Sequence, residues 1–214
     1  MLCFAEGMTS ASRFGTPPRG DGGFSLIELL CVLVILIILT VVLDNRMSGS
    51  RHRSQRELCR KNLLEISLAL NFYGNDNHGA FPLVKGAATS AEALSLLIPR
   101  CTTETAMFIC PGSSDPALPE GESFAKRRIS YAYYMGRSTN AAPDDVLISD
   151  WQLNSLAKMR GQPMFSADGK KPANNHAADG GNLLQANGEV TGCSAVAPRD
   201  LPLASGVTLL NPAP

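Results

Sequence analysis

Apolar residues run almost unbroken from Leu26 to Leu43, and over Leu26 to Val42 only Glu28 is charged and only Thr40 is otherwise polar. Eighteen such residues at about 1.5 Å each make a helix of roughly 27 Å, close to the ~30 Å hydrocarbon layer of a bilayer. The run therefore predicts a membrane-spanning helix. It exceeds the roughly 7–15 apolar residues of a secretory signal, and Asp44-Asn45-Arg46 follows it in place of an A-x-A-like cleavage site. Past the run the pattern becomes periodic. Cys59, Leu63, Ile66, Leu70 and Tyr73 recur at spacings of four, three, four and three, while Arg60, Lys61, Glu65 and Asn71 fall elsewhere. That spacing predicts a helix continuing to about Tyr73, with one stripe packed on a sheet. Ser48-Gly49-Ser50 is expected to interrupt it, since glycine costs about 1 kcal/mol relative to alanine in a helix.

Farther along, Gly74-Asn75-Asp76-Asn77-His78-Gly79 supplies turn formers that end the helix. Thr89-Ser90-Ala91-Glu92 reads as a capping box opening a short helix from Ser90 to Ile98, which Pro99 stops. Ala106 to Cys110, Ile129 to Met135 and Asp145 to Ser149 read as strands, the first two separated by a loop from Pro111 to Gly121. Ile129, Tyr131 and Tyr133 alternate with Ser130, Ala132 and Tyr134, giving one face of large groups. Asn182 to Ala186 and Glu189 to Thr191 flank Asn187-Gly188, the signature of a type I′ hairpin. The expected fold is α+β, a long N-terminal helix packed on an antiparallel sheet of three to five strands.

Composition narrows the function. The 19 basic and 19 acidic residues cancel, so no bulk charge favours nucleic acid. The three histidines, His52, His78 and His176, sit in no H-E-x-x-H, G-x-S-x-G or Cys-His arrangement, and no phosphate-binding loop is present. No enzyme is expected; His176 with Asp179 reads as part of a glycine-bounded turn. Cys3 precedes the apolar run and Cys31 lies within it, leaving Cys59, Cys101, Cys110 and Cys193. These four allow three disulfide pairings in an oxidising compartment, or remain reduced. Zinc ranks below both, because no C-x-x-C occurs. Glu28 stands apart, since an acidic group deep in a lipid-facing helix costs on the order of 2.5–3.5 kcal/mol and marks a functional residue by default.

The order Gly23-Phe24-Ser25-Leu26-Ile27-Glu28 ahead of an apolar helix resembles the signal of type IV pilins and type II secretion pseudopilins. The resemblance implies that a prepilin peptidase cuts between Gly23 and Phe24 and methylates the new amine of Phe24, and that Glu28 pairs with the terminal amine of a neighbouring subunit. A new amine at a helix N-terminus is a suitable partner for a buried carboxylate. Asn77-His78-Gly79-Ala80-Phe81-Pro82 and Cys59-Arg60-Lys61-Asn62-Leu63 are similar to the corresponding segments of a pseudopilin-like subgroup. So is the frame His176, Gly180-Gly181, Asn182-Leu183-Leu184 and Asn187-Gly188-Glu189-Val190, where Asn187 and Glu189 replace the subgroup's Asp and His.

Under this resemblance the chain divides into a leader (1–23), a membrane and filament-core helix (24–43), the soluble half of that helix (44–73) and a pilin-like domain (74–214). Loss of the leader removes two basic and two acidic residues and leaves the chain neutral. The implied protein rests in a bacterial inner membrane with its C-terminal domain in the periplasm. Its partners are the peptidase, other pilin or pseudopilin subunits and an inner-membrane assembly platform. No cofactor is expected; calcium, which the major pseudopilin binds, would draw on Asp168, Asp179 and Asn182, although no D-x-[DN]-x-[DN]-G spacing occurs. The basic residues Arg46, Arg51, Arg53, Arg56, Arg60 and Lys61 after the run argue for the opposite orientation, but long domains cross membranes largely regardless of charge. The alternative is a single-span periplasmic binding protein or enzyme that never enters a filament.

Overall fold

The computed structural model describes residues 25–214, with the side chains of residues 42–52 outside the description. The leader, Gly23 and Phe24 lie outside it as well. The chain divides into two compact units, Met1–Asn45 and Arg46–Pro214, taken separately here.

Helix α1 runs from Leu26 to Asp76. In the first unit its side chains from Leu26 to Val41 are all exposed. Among the described residues no helix is long and apolar enough to cross a membrane; Val42 and Leu43, which complete the eighteen-residue run, lie outside the described side chains. Ser48, Gly49 and Ser50 fall inside α1, so the expected interruption does not occur. One glycine costs far less than the flanking hydrogen-bonded turns supply. The helix ends three residues beyond the expected Tyr73. Gly79 N–H donates to the Gly74 carbonyl across 2.8 Å, and His78 takes a left-handed φ of 55°, the geometry of a Schellman stop with histidine at the position glycine usually fills.

In the second unit the expected helix stripe is the one that packs. Cys59, Leu63, Ile66 and Leu70 are fully buried against Tyr131, Tyr133, Ile148, Leu184 and Val190. The sheet they meet has five strands, all antiparallel neighbours in the order β4-β3-β2-β1-β5. These are β1 (Tyr131–Met135), β2 (Val146–Asp150), β3 (Gly181–Gln185), β4 (Val190–Cys193) and β5 (Thr208–Leu210). The last had no counterpart in the sequence reading. Alternation along β1 holds, with Tyr131 and Tyr133 facing α1, but the other face is not open to water. Ala132 and Tyr134 join Val146, Met164, Phe165, Leu183, Ala197, Leu201 and Leu209 in a second core beneath the irregular segments that link the strands.

Three local expectations are corrected. The segment Ala106–Phe108 is a 3₁₀ turn, not a strand, because the consecutive side chains Met107 and Phe108 both enter the α1-side core, which period-two alternation forbids. The short helix α2 spans only Ser90–Leu94, and Ser95–Leu97 tightens into 3₁₀ before Ile98 extends. Glu92 reaches back to the Ala88 N–H and accepts from Thr89 Oγ1, so Thr89 makes no side-chain bond to the helix backbone. The β3–β4 hairpin forms at the expected residues, but only Gly188 there has a positive φ, 82°. Gly188 N–H donates to the Gln185 carbonyl and Gln185 N–H to that of Glu189, which makes a three-residue loop closed by a glycine bulge in place of type I′.

The α1–sheet contact predicts a measurable contrast. Leu70→Ala, at a fully buried position, should lower unfolding free energy by about 2–5 kcal/mol. Leu68→Ala, on the exposed side of the same helix, should stay within about 0.5 kcal/mol; urea unfolding of the two variants checks the pair.

Candidate functional site

The stripe of α1 is not purely apolar, for Cys59 carries a thiol into the core. Across from it, in register with Tyr131, β2 ends on Asp150, whose carboxylate is fully buried. Two loops complete the cluster. Cys110 follows the 3₁₀ turn, held by Cys110 N–H to Ser130 Oγ (2.9 Å) and Asn62 Nδ2 of α1 to the Ile109 carbonyl (2.9 Å). His176 comes from the loop before β3, where Ala173 and Ala177 take left-handed φ values of 63° and 53°. Such strain on alanine is tolerated only where surrounding contacts over-determine it; here the loop inserts Asn175 and His176, both buried. Gly112 permits the close approach, since a Cβ there would collide with the Asn175 carbonyl.

The ligand-capable atoms of Cys59, Cys110, Asp150 and His176 all lie within 4.8 Å of one another. Asp150 Oδ2 is 3.2 Å from His176 Nε2, and Cys59 Sγ is 3.3 Å from Asp150 Oδ1. Cys110 Sγ is 3.6 Å from His176 Nε2. Donors surround the acidic members. Asn175 Nδ2 and the Asn182 backbone N–H donate to the two oxygens of Asp150 at 2.9 and 2.7 Å. Gly112 N–H points at Cys110 Sγ and Tyr131 OH lies against Cys59 Sγ, each at 3.4 Å. His176 Nδ1, on the far side of the ring, is buried with no hydrogen-bond partner among the described residues.

Burial, then Cys110 and the Asp150 charge, push the Cys59 thiol well above its ordinary range. Burial opposes charge on His176 too, but the Asp150 carboxylate outweighs it and raises the imidazole to about 10. Asp150 is held below the usual carboxylate range: burial opposes this, and the His176 charge and the Asn175 and Asn182 donors overcome it. A relay of the cysteine-protease kind is not built here, because Cys110 and Asp150 both face Nε2. A triad of that kind needs the thiol at one ring nitrogen, to give up its proton there, and the orienting carboxylate at the other.

The other residues singled out from sequence are placed differently. Glu28 lies in the first turn of α1 and is exposed. Cys59, Cys101, Cys110 and Cys193 are free thiols in the structure; Cys59 and Cys110 meet, whereas Cys101 and Cys193 stay outside the cluster. Cys193 is pushed to about 11, chiefly by burial. Of the calcium candidates, Asp168 accepts from Ser166 Oγ and Lys170 N–H, Asp179 is exposed, and the backbone N–H of Asn182 donates to Asp150. His176 pairs with Asp150 and not with Asp179. The sequence pattern singles out neither Asp150 nor Asn175; the one local signal is an aspartate following the apolar run Val146-Leu147-Ile148. Beside the cluster, Arg56 of α1 donates to the carbonyls of Asp179, Gly181 and Cys193 at 2.8–3.1 Å, tying the helix to the β3–β4 edge.

Residues 18–43 match the prokaryotic N-terminal methylation motif. That motif is the type IV pilin and pseudopilin signal, and the match takes in Gly23, Phe24, Glu28 and the apolar run. No curated protein and no solved structure matches the chain.

Arg56→Ala should cost about 1.5–3 kcal/mol, the usual range for hydrogen bonds from a charged donor. It should also speed amide hydrogen exchange along β4. Arg56→Lys should recover only part of this, since a point charge does not reproduce the guanidinium fork; exchange mass spectrometry of the three proteins reads the difference.

Proposed function

We propose that this protein is a filament subunit of the pilin or pseudopilin type, processed after Gly23, methylated at Phe24 and assembled through α1. The methylation motif at residues 18–43 carries the reading. Two physical features support it. The side chains of Leu26, Ile27, Leu29, Leu30, Val32 and Leu33 are each 43–84% exposed, a surface that needs lipid before assembly and neighbouring subunits afterwards. Glu28 in the first turn places a carboxylate where a neighbour's terminal amine and the helix dipole both favour negative charge.

On this reading the precursor sits in a bacterial inner membrane with the Arg46–Pro214 unit in the periplasm. The prepilin peptidase and the assembly platform act on residues 23–43, and the subunit has no catalytic role. Type II secretion and type IV pili share this chemistry, and the processing signal serves both equally.

Intact mass and N-terminal sequencing of the membrane-extracted protein test the processing step. The expected product begins at N-methylated Phe24; a chain beginning at Met1 in cells with an active prepilin peptidase would leave the single-span anchored protein in its place. Glu28→Ala should insert and be cleaved normally yet be at least tenfold depleted from sheared filaments. Equal incorporation would remove Glu28 from assembly.

A further inference from the structure

We infer that Cys59, Cys110, Asp150 and His176 form a closed structural site for a divalent ion of the zinc class. With metal–sulfur, metal–nitrogen and metal–oxygen distances of about 2.3, 2.05 and 2.0 Å, a tetrahedral centre has edges of about 3.6 Å (S to N), 3.5 Å (S to O) and 3.3 Å (N to O). Cys110 Sγ lies 3.6 Å from His176 Nε2, and the Asp150 carboxylate sets Oδ1 3.3 Å from Cys59 Sγ and Oδ2 3.2 Å from His176 Nε2, so a small turn of the carboxylate brings one oxygen to the shell. Three of the contacts are thus near the spacing of a coordination shell, and with all four ligand atoms within 4.8 Å of one another the widest pair needs to close by about 1 Å.

Donor chemistry selects the ion. Two sulfurs with one imidazole and one carboxylate suit a borderline-soft, four-coordinate metal and disfavour magnesium and calcium, which take oxygen ligands. All four ligands are buried, and four protein ligands leave no open position, the arrangement of structural rather than catalytic zinc. The surrounding groups also fit. Asn175 and Asn182 orient the carboxylate, and the Gly112 N–H and Tyr131 hydroxyl face the sulfurs, so each anionic ligand has an outer partner of the kind that fixes ligand geometry, while His176 Nδ1 has none among the described residues. On binding, the Cys59 and Cys110 thiols and the His176 Nε2–H each release a proton to solvent, and the ion takes four bonds, with no change in oxidation state.

The consequence is mechanical. Cys59 lies on α1, Asp150 at the end of β2, and Cys110 and His176 on two separate loops, so one ion fastens the helix to the sheet and both loops to each. The domain then folds as a metal-dependent unit, a property independent of leader processing and of filament assembly.

The test is the metal content of the full-length protein, extracted from membranes in detergent without chelators, together with its intact mass under non-reducing conditions. The expected result is one zinc per chain with Cys59 and Cys110 both reduced. Exchange of Co²⁺ into the same protein should give thiolate-to-metal charge-transfer bands and tetrahedral d–d bands. Cys110→Ser and His176→Ala should each lower bound zinc at least tenfold, whereas Cys101→Ser should retain it. Substoichiometric metal in the wild-type chain would overturn the proposal, whether peptide mapping then finds a Cys59–Cys110 disulfide or two free thiols. Full zinc retention in Cys110→Ser would overturn it too. The wild-type count decides even where a variant fails to fold.

Discussion

A wholly buried carboxylate constrains the second unit more than any other group. Asp150 cannot lose its charge shell to the protein interior without replacement, and the replacements come from everywhere at once. The imidazole of His176, the amide of Asn175, the backbone N–H of Asn182 and the thiol of Cys59 converge on its two oxygens. Satisfying that one group fixes where α1 lies on the sheet, how β3 enters beside β2, and why the loop from Ala173 to Ala177 accepts left-handed backbone on two alanines.

Around that point the sheet behaves unlike an ordinary half-exposed antiparallel layer. Its α1 face carries Tyr131 and Tyr133, and its other face carries Ala132 and Tyr134, all buried. The tyrosines tolerate this because their hydroxyls find partners: Tyr131 at Cys59, Tyr133 at the Pro82 carbonyl, Tyr134 at the Gln152 side chain. The second face is covered by chain with little regular structure, bridged at Lys158–Leu201 and Pro163–Val196. A bulge between Val146 and Ile148 turns both Leu147 and Ile148 toward α1, a local break in alternation that thickens the core beside Asp150.

Helix α1 therefore contributes two unlike surfaces. Toward the sheet it presents a narrow stripe ending in a thiol; from Leu26 to Val41 its exposed side chains are apolar apart from Glu28 and Thr40. The first is a solved packing problem within the Arg46–Pro214 unit, and the second asks for an environment outside the chain. Within the Arg46–Pro214 unit, Arg56 and the buried cluster tie α1 to the sheet.

The division between sequence and tertiary structure follows the range of the interactions. Periodicity reports contacts between residues a few positions apart, so the apolar run, the Gly23-Phe24 to Glu28 motif, the stripe from Cys59 to Tyr73, the alternation of β1 and the β3–β4 hairpin were all legible in the chain. Where several backbone forms bury the same short apolar run, as at Ala106–Phe108, the core decided which one formed. The C-terminal strand β5, the covering of the second sheet face and the meeting of Cys59, Cys110, Asp150 and His176 left no local trace. Cysteines without a C-x-x-C spacing, one aspartate and one histidine are ordinary residues until chain closure sets their atoms within bonding distance. The sequence alone determined which helix would be made and that a methylation motif opens it. Only the folded structure decided what that helix is fastened to, because desolvation and hydrogen bonding at a buried carboxylate depend on groups far apart in the chain.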